Sequence, residues 1–125
     1  MILLTVDEII AFHKKLIEKT GGSFGIRDIN LLESAVYSVE AAFGEEECYP
    51  TIEEKSARLM YALTNNHAFV DGNKRIGVYV MLITLEANGI KIRYTQKELI
   101  NIGLCVADSS MDYEKILKWI NDRKI

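Results

Sequence analysis

Residues 73–88 read NKRIGVYVMLITLEAN, a run that carries charge only near its two ends and is followed by Gly89. A helix drawn through this run is apolar on nearly every face, which is typical of a helix buried on all sides. Its longest apolar stretch, residues 76–83, is too short to span a bilayer, and glycine commonly follows the last turn of a helix. The run therefore predicts the central helix of a helical bundle.

Capping boxes mark three further helix starts on either side of this run. Thr5, Thr51 and Thr95 are each followed three residues later by a glutamate. In such a box the hydroxyl accepts from a free backbone N–H, and the carboxylate reaches back to the capping residue. Apolar residues at helical spacing follow each box, so helices are predicted after all three threonines. The first is expected to end at the glycine pair 21–22.

Two more helices complete the predicted bundle. One is expected from residue 28 to residue 43, before the glutamate run 45–47, which is expected to be a solvated loop. Another, over residues 113–120, closes the chain, while residues 90–94 are too short to assign. The pattern predicts an all-α fold, a compact bundle of about six helices around a buried central helix, in a single domain over residues 1–125.

The composition of the chain narrows the classes of protein to which it can belong. The chain has 125 residues with 15 Lys+Arg against 18 Asp+Glu, a net charge of −3, which argues against direct nucleic-acid binding. No signal peptide or membrane segment is legible. Cys48 and Cys105 lie in different predicted elements without metal-ligand spacing, which favours free thiols over a disulfide. We therefore expect a cytoplasmic protein with no membrane association.

The segment 67–75, HAFVDGNKR, lies where the third helix should end and the central helix begin. Asp71 and Asn73 are natural N-caps, and Gly72 lets the backbone turn sharply. The N-terminus of a helix offers free N–H groups and the positive end of a dipole, an arrangement that suits a phosphate. The segment is thus a candidate phosphate site.

Charged and titratable side chains surround this helix start. Lys74 and Arg75 add two cations to a protein that is otherwise acidic. Asp71 is a suitable ligand for a Mg²⁺ that bridges phosphate oxygens, and His67 is a base able to take a proton from an attacking hydroxyl. A base, a metal carboxylate, an anion nest and cations are the components of phosphoryl or nucleotidyl transfer.

Each of these residues also has a purely structural explanation. A lone His67 at a helix C-terminus is usually a cap, Asp71 a plain N-cap, and the pair 74–75 a solvated first turn. Phe69 is expected to be a core anchor that fixes the loop in either case. The coincidence of all these residue types at one helix start favours the functional interpretation. His13, near the apolar stripe of the first helix, is expected to be a packed or partly exposed histidine.

The string HAFVDGNKR closely resembles the HxFx(D/N)(A/G)NKR signature of the death-on-curing (Doc) toxins, a branch of the Fic family. Upstream, GGSFGIRD at 21–28 and LLESA at 31–35 look like the glycine-bearing segment and following helix of that family. No P-loop or HExxH motif competes with this signature. The resemblance covers essentially the whole chain.

This resemblance implies a toxin that transfers the γ-phosphoryl of ATP to a Ser or Thr hydroxyl of a translation factor, with elongation factor Tu as the family's known target. It implies translation arrest as the result. His67 would be the base and Asp71 the Mg²⁺ ligand. The phosphate binders would be Gly72, Asn73, Lys74 and Arg75.

Ordinary Fic enzymes carry HPFx(D/E)GNGRxxR and transfer AMP instead. Here Lys74 replaces the second motif glycine, and Val78 stands at the later arginine position. Such changes go with reversed ATP binding in Doc-like proteins, whereas Gly72 matches Fic and leaves room for the Fic pose. AMP transfer therefore remains the first alternative, and a non-catalytic helical binding module the second.

Restraint of such a toxin is expected from a separate protein. Residues 110–114 have the spacing of the Fic inhibitory [ST]xxxE[GN] motif, but Lys115 follows. The expected partner is therefore an antitoxin whose amphipathic segment folds into a groove near the site. Residues 21–28 are interpreted either as a glycine-ended loop or as a flap that aligns the target.

Overall fold

The protein is a bundle of six α-helices, and the computed structural model describes all of residues 1–125. A 3₁₀ turn at Ser38–Glu40 and a small antiparallel hairpin, β1 (Ala42–Phe43) with β2 (Glu46–Glu47), interrupt the helices. The all-α prediction is confirmed. The helices are α1 (Val6–Thr20), α2 (Ile29–Tyr37), α3 (Ile52–Asn66), α4 (Asn73–Ala87), α5 (Gln96–Ala107) and α6 (Tyr113–Arg123).

Side chains cap every helix except α4. All three predicted capping boxes are formed, at Thr5, Thr51 and Thr95. Asp28 and Asp112 cap α2 and α6 by accepting from backbone N–H groups of the first turn. Because the cap satisfies N–H groups that have no partner inside a helix, these five starts can be assigned from sequence alone.

The second helix is shorter than predicted, because it ends at Tyr37 and not at Phe43. The apolar spacing of the sequence continues beyond the end of the helix, and Val39, in the 3₁₀ turn, is still buried. Lys55 fixes this turn, since its buried Nζ donates to the Val39 carbonyl at 3.1 Å and to Glu47 Oε1 at 3.0 Å. The glutamate run is exposed as predicted, but Glu47 also serves as the partner of a buried ammonium group.

Two hydrophobic clusters lie on either side of the α3–α4 pair. One packs α1 and α2 against the pair around Leu32 and Phe69, and the other packs α5 and α6 around Met81 and Trp119. The predicted central helix, α4, shares the centre with α3, which has nine buried residues against six in α4. No helix in the bundle has both the length and the apolar character needed to cross a membrane.

The helices α3 and α4 pack tightly against each other at Gly77. A Cβ on this residue would overlap the Thr64 hydroxyl and lie 3.2 Å from the Met60 carbonyl oxygen. The Thr64 Oγ1 is itself buried without a hydrogen-bond partner. Since α3 ends and α4 begins at the candidate site, this contact sets the spacing of the elements that carry it.

We expect Gly77→Ala to lower the free energy of unfolding by about 1–2 kcal/mol, because the added methyl overpacks the contact despite the better helix propensity of alanine. Thr64→Ala should cost little, since it removes an unpartnered buried hydroxyl. The double variant should regain most of the loss, as measured by urea unfolding. Strictly additive effects would contradict a direct contact between the two side chains.

Candidate active site

The loop between α3 and α4 is closed by one side chain, that of Asn73, the first residue of α4. The Asn73 Nδ2 donates to the Phe69 carbonyl at 3.0 Å, and the Phe69 N–H donates to Asn73 Oδ1 at 3.1 Å. Phe69 is buried, as predicted for an anchor of this loop. Because both ends of the Asn73 amide are used in the loop, only its backbone N–H is left for a ligand.

The first turn of α4 has no side-chain cap. Its N-cap is Gly72, in the left-handed conformation with φ of 76°, and the first bonded N–H of the helix is that of Ile76. The prediction that Asp71 or Asn73 caps this helix was wrong, because both side chains are turned to other backbone groups. The preceding N–H groups of the turn are therefore left to bind an anion.

Asp71 is held beside this helix start by backbone donors. Its Oδ1 accepts from the Gly72 N–H at 2.8 Å, and its Oδ2 accepts from the Ser23 N–H at 3.2 Å. These two bonds hold the pKa of the Asp71 carboxyl below its ordinary value, and the bond from Ser23 has the larger effect. The Arg75 guanidinium acts in the same direction. The side chain is half-exposed, so the ionised carboxylate is open to a ligand.

Asp71 fits a Mg²⁺ ion that arrives with a phosphate. The chain contains no group of three histidine, cysteine or acidic side chains that would hold a metal by itself. Mg²⁺ is commonly held by one or two carboxylates together with waters and substrate phosphates. One half-exposed carboxylate beside an anion-binding helix start matches that donor set.

The two cations of the motif differ in the contacts that their side chains make. Arg75 NH1 donates to Thr20 Oγ1 and to the Gly21 carbonyl, both at 2.7 Å, and its NH2 lies 3.6 Å from Asp71 Oδ1. Arg75 thus ties α4 to the end of α1. Lys74 is exposed and makes no hydrogen bond or ion pair, so its ammonium group is free at the helix start.

His67 ends α3 in a left-handed conformation, with φ of 52°. Its carbonyl accepts from Arg27 Nε at 2.6 Å, so the strained residue is held through its backbone. The Ala68 carbonyl accepts the N–H groups of Arg27 and Asp28, and the Val70 N–H donates to the Gly25 carbonyl. These bonds fasten the glycine-bearing segment beside the motif and leave the exposed imidazole free.

The predicted site residues all line one cleft of ≈ 430 Å³. A second cavity of ≈ 640 Å³ adjoins it and shares Lys74 and Arg75 as walls. That second cavity, here called the α5 groove, is mostly apolar. Its remaining walls are Leu16, Thr20, Val78, Tyr79, Leu82, Tyr94, Gln96, Leu99, Ile100, Gly103 and Leu104.

His13 lies beside the candidate site, a position that the sequence did not predict. It is fully buried, its Nε2 lies 2.7 Å from the Asp71 carbonyl oxygen, and its ring stacks on Phe69 with centroids 3.8 Å apart. Burial lowers the pKa of His13 below its ordinary value, which keeps the ring neutral at pH 7. Its place between Ile9 and Ile17 on the buried face of α1 predicted packing, but not proximity to Asp71.

A histidine, a carboxylate and an uncapped helix start thus line one cleft of a helical bundle. The chain belongs to the Fic/DOC family, whose model matches residues 3–85. It is 38% identical over 72 residues to the Toxin Doc of Mycolicibacterium smegmatis (strain ATCC 700084 / mc(2)155), a match that covers 58% of this chain and 55% of that protein.

A second relative is similar along most of its length. The chain is 27% identical over 113 residues to the Protein kinase doc of Escherichia phage P1, covering 90% of this chain and 88% of that protein. The match to the mycobacterial toxin, by comparison, spans little more than half of its length. Together these likenesses confirm the resemblance to the Doc branch that the motif indicated.

We expect Gly22→Ala to raise the pKa of the Asp71 carboxyl toward its ordinary value. A Cβ at residue 22 would overlap Asp71 Oδ2 and lie 3.0 Å from Arg75 NH2, so it should displace the carboxylate from the Ser23 N–H. The matched control is Gly21→Ala, which has a similarly positive φ but open space around its Cβ. Carboxyl ¹³C titration by NMR distinguishes them, and equal shifts in both variants would contradict the assignment.

Proposed function

We propose that this protein is a Doc-like toxin that acts as a protein kinase. It would transfer the γ-phosphoryl group of ATP to a Ser or Thr hydroxyl of a translation factor, similar to elongation factor Tu, and so arrest translation. The observation that carries this proposal is the uncapped start of α4, which lines the same cleft as His67 and Asp71. The name of the phage relative, a protein kinase, agrees with it.

Each group of the cleft has a part in this reaction. The free N–H groups of the first turn of α4 and the Lys74 ammonium bind the phosphates of ATP. His67 accepts the proton of the target hydroxyl while the oxygen forms a bond to the γ-phosphorus and the bond to the bridging oxygen of ADP breaks. Asp71 would hold Mg²⁺, which when bound neutralises charge on the phosphate oxygens.

Lys74 favours phosphoryl transfer over AMP transfer. It stands in the first turn of α4, where a Fic enzyme has glycine, and its free side chain lines both the cleft and the α5 groove. A lysine there crowds the nest at the helix start that would otherwise grip the α-phosphate. Gly72 retains the small residue of Fic enzymes, so AMP transfer is the alternative that the experiment must separate.

The test of this function uses ATP labelled at either the γ- or the α-phosphate, with Mg²⁺ and a cell lysate. We expect His67-dependent transfer of the γ label to a translation factor, identified by mass spectrometry. His67→Ala should lower the rate by about 10²-fold or more, because general-base catalysis is lost. The control Phe43→Ala, on the exposed hairpin, should leave the rate unchanged.

The other outcomes of this experiment distinguish the alternative functions from the kinase. Transfer of the α label alone would show an AMP transferase, in which Lys74 does not block the Fic pose. An unchanged rate in His67→Ala, with circular dichroism showing an intact fold, would contradict both enzymatic assignments. Absence of either label on any protein would favour the non-catalytic binding module.

We propose further that an antitoxin segment binds in the α5 groove. This groove adjoins the cleft at Lys74 and Arg75, and Ile100 and Leu104 are half-exposed in its wall. An amphipathic helix would cover these apolar side chains with one face and meet the two cations with acidic residues. Occupation of this groove would place a bulky chain beside the phosphate site, which explains how the partner restrains the toxin.

Leu104→Asp should weaken capture of the co-expressed antitoxin at least about tenfold, because a carboxylate would be buried in an apolar contact. The phosphorylation rate should not change, since Leu104 lies outside the cleft. Phe43→Asp is the matched control on an exposed surface away from the groove. Equal weakening by both substitutions, measured by calorimetric titration, would place the antitoxin elsewhere.

A further inference from the structure

His13 makes the only hydrogen bond to the Asp71 carbonyl in this structure. The bond is 2.7 Å long and joins residues 58 positions apart, from the middle of α1 to the turn before α4. The same imidazole stacks nearly parallel on Phe69, with an interplanar angle of 10°. His13 therefore contacts the loop at two points, at the aromatic anchor Phe69 and at the carbonyl of the turn.

The surroundings of the ring select one tautomer. His13 Nδ1 is buried and has no hydrogen-bond partner, whereas Nε2 faces a carbonyl oxygen, which can only accept. A proton on Nε2 is therefore paired, and a proton on Nδ1 would be an orphaned buried donor. The neutral Nε2–H form is the one that fits, and it donates to Asp71.

The turn itself leaves little room for another arrangement. A Cβ on Gly72 would lie 3.4 Å from His13 Nε2 and 3.1 Å from the Ile17 side chain, so the backbone packs directly on α1. The peptide whose carbonyl accepts from His13 carries the Gly72 N–H, which in turn donates to the Asp71 carboxylate. One rotation of this peptide would move both the carboxylate and the start of α4.

We infer that His13 is a positioning residue, whose hydrogen bond to the Asp71 carbonyl holds the turn that directs Asp71 and the first N–H groups of α4 into the cleft. Its role in nucleotide binding rests on the function proposed above. The hydrogen bond and the stacking on Phe69 are separate contributions: the first orients the turn, and the second stabilises the fold. Two substitutions separate them.

His13→Phe keeps an aromatic ring to stack on Phe69 but removes the donor, whereas His13→Gln keeps a donor for the Asp71 carbonyl but removes the ring. We expect His13→Phe to melt closer to the wild type than His13→Gln does, because the stacked ring is kept, and to bind Mg²⁺·ATP roughly tenfold more weakly. His13→Gln should melt lower but bind within about threefold of the wild type. Calorimetric titration and thermal melting measure the two properties.

A merely structural role predicts the opposite relation, in which affinity follows thermal stability in both variants, and that result would overturn the inference. A readout without nucleotide separates it from the proposed function. In the free protein, ¹⁵N NMR should show the Nε2–H tautomer of His13, and the Gly72 and Ser23 amides should exchange faster in His13→Phe than in His13→Gln. An Nδ1–H tautomer, or equal exchange in both variants, would disprove the positioning role even if the wild type bound no ATP.

Discussion

The left-handed turn at Gly72 is the constraint on which the site depends. With φ of 76° at its N-cap, α4 begins without the side-chain cap that every other helix of the bundle has. A side-chain cap would occupy the same N–H groups that an anion needs. Two hydrogen bonds between the Asn73 side chain and the Phe69 backbone close the loop around this turn. These bonds offset the stability lost with the missing side-chain cap.

The rest of the bundle holds this turn in place from several sides. His13, in α1, is hydrogen-bonded to the Asp71 carbonyl within this turn, and the end of the same helix accepts a hydrogen bond from Arg75. The glycine-bearing segment reaches Asp71 through Ser23 and the end of α3 through Arg27. The glycine-bearing segment, interpreted from sequence as either a loop or a flap, is therefore a structural part of the candidate site, because its Ser23 N–H helps to lower the pKa of the Asp71 carboxyl.

Local sequence patterns were sufficient to predict the six helices and to select residues that the structure brings together in one cleft. Each capping box lies within one helical turn and HAFVDGNKR is a run of nine consecutive residues, so both can be recognised without the fold. The hydrogen-bond partners of the Arg75 and His13 side chains are more than fifty residues away along the chain, and no local pattern encodes such contacts. The Asn73 side chain closes the loop through Phe69, only four residues away, so a residue type typical of phosphate binding does not show whether its side chain or its backbone N–H is free for a ligand. The prediction for α2 was too long because Val39, buried in the 3₁₀ turn, continues the apolar spacing outside the helix.

The proposed function requires that the uncapped start of α4 bind the phosphates of a nucleotide held with Mg²⁺. Titration of Mg²⁺·ATP into the ¹⁵N-labelled protein, followed by amide NMR, tests it most directly. We expect saturable shifts of the Asn73, Lys74 and Arg75 amides, together with that of His67, and a weaker response in Asp71→Asn. Shifts confined to the α5 groove, or no saturable change at the start of α4, would contradict it.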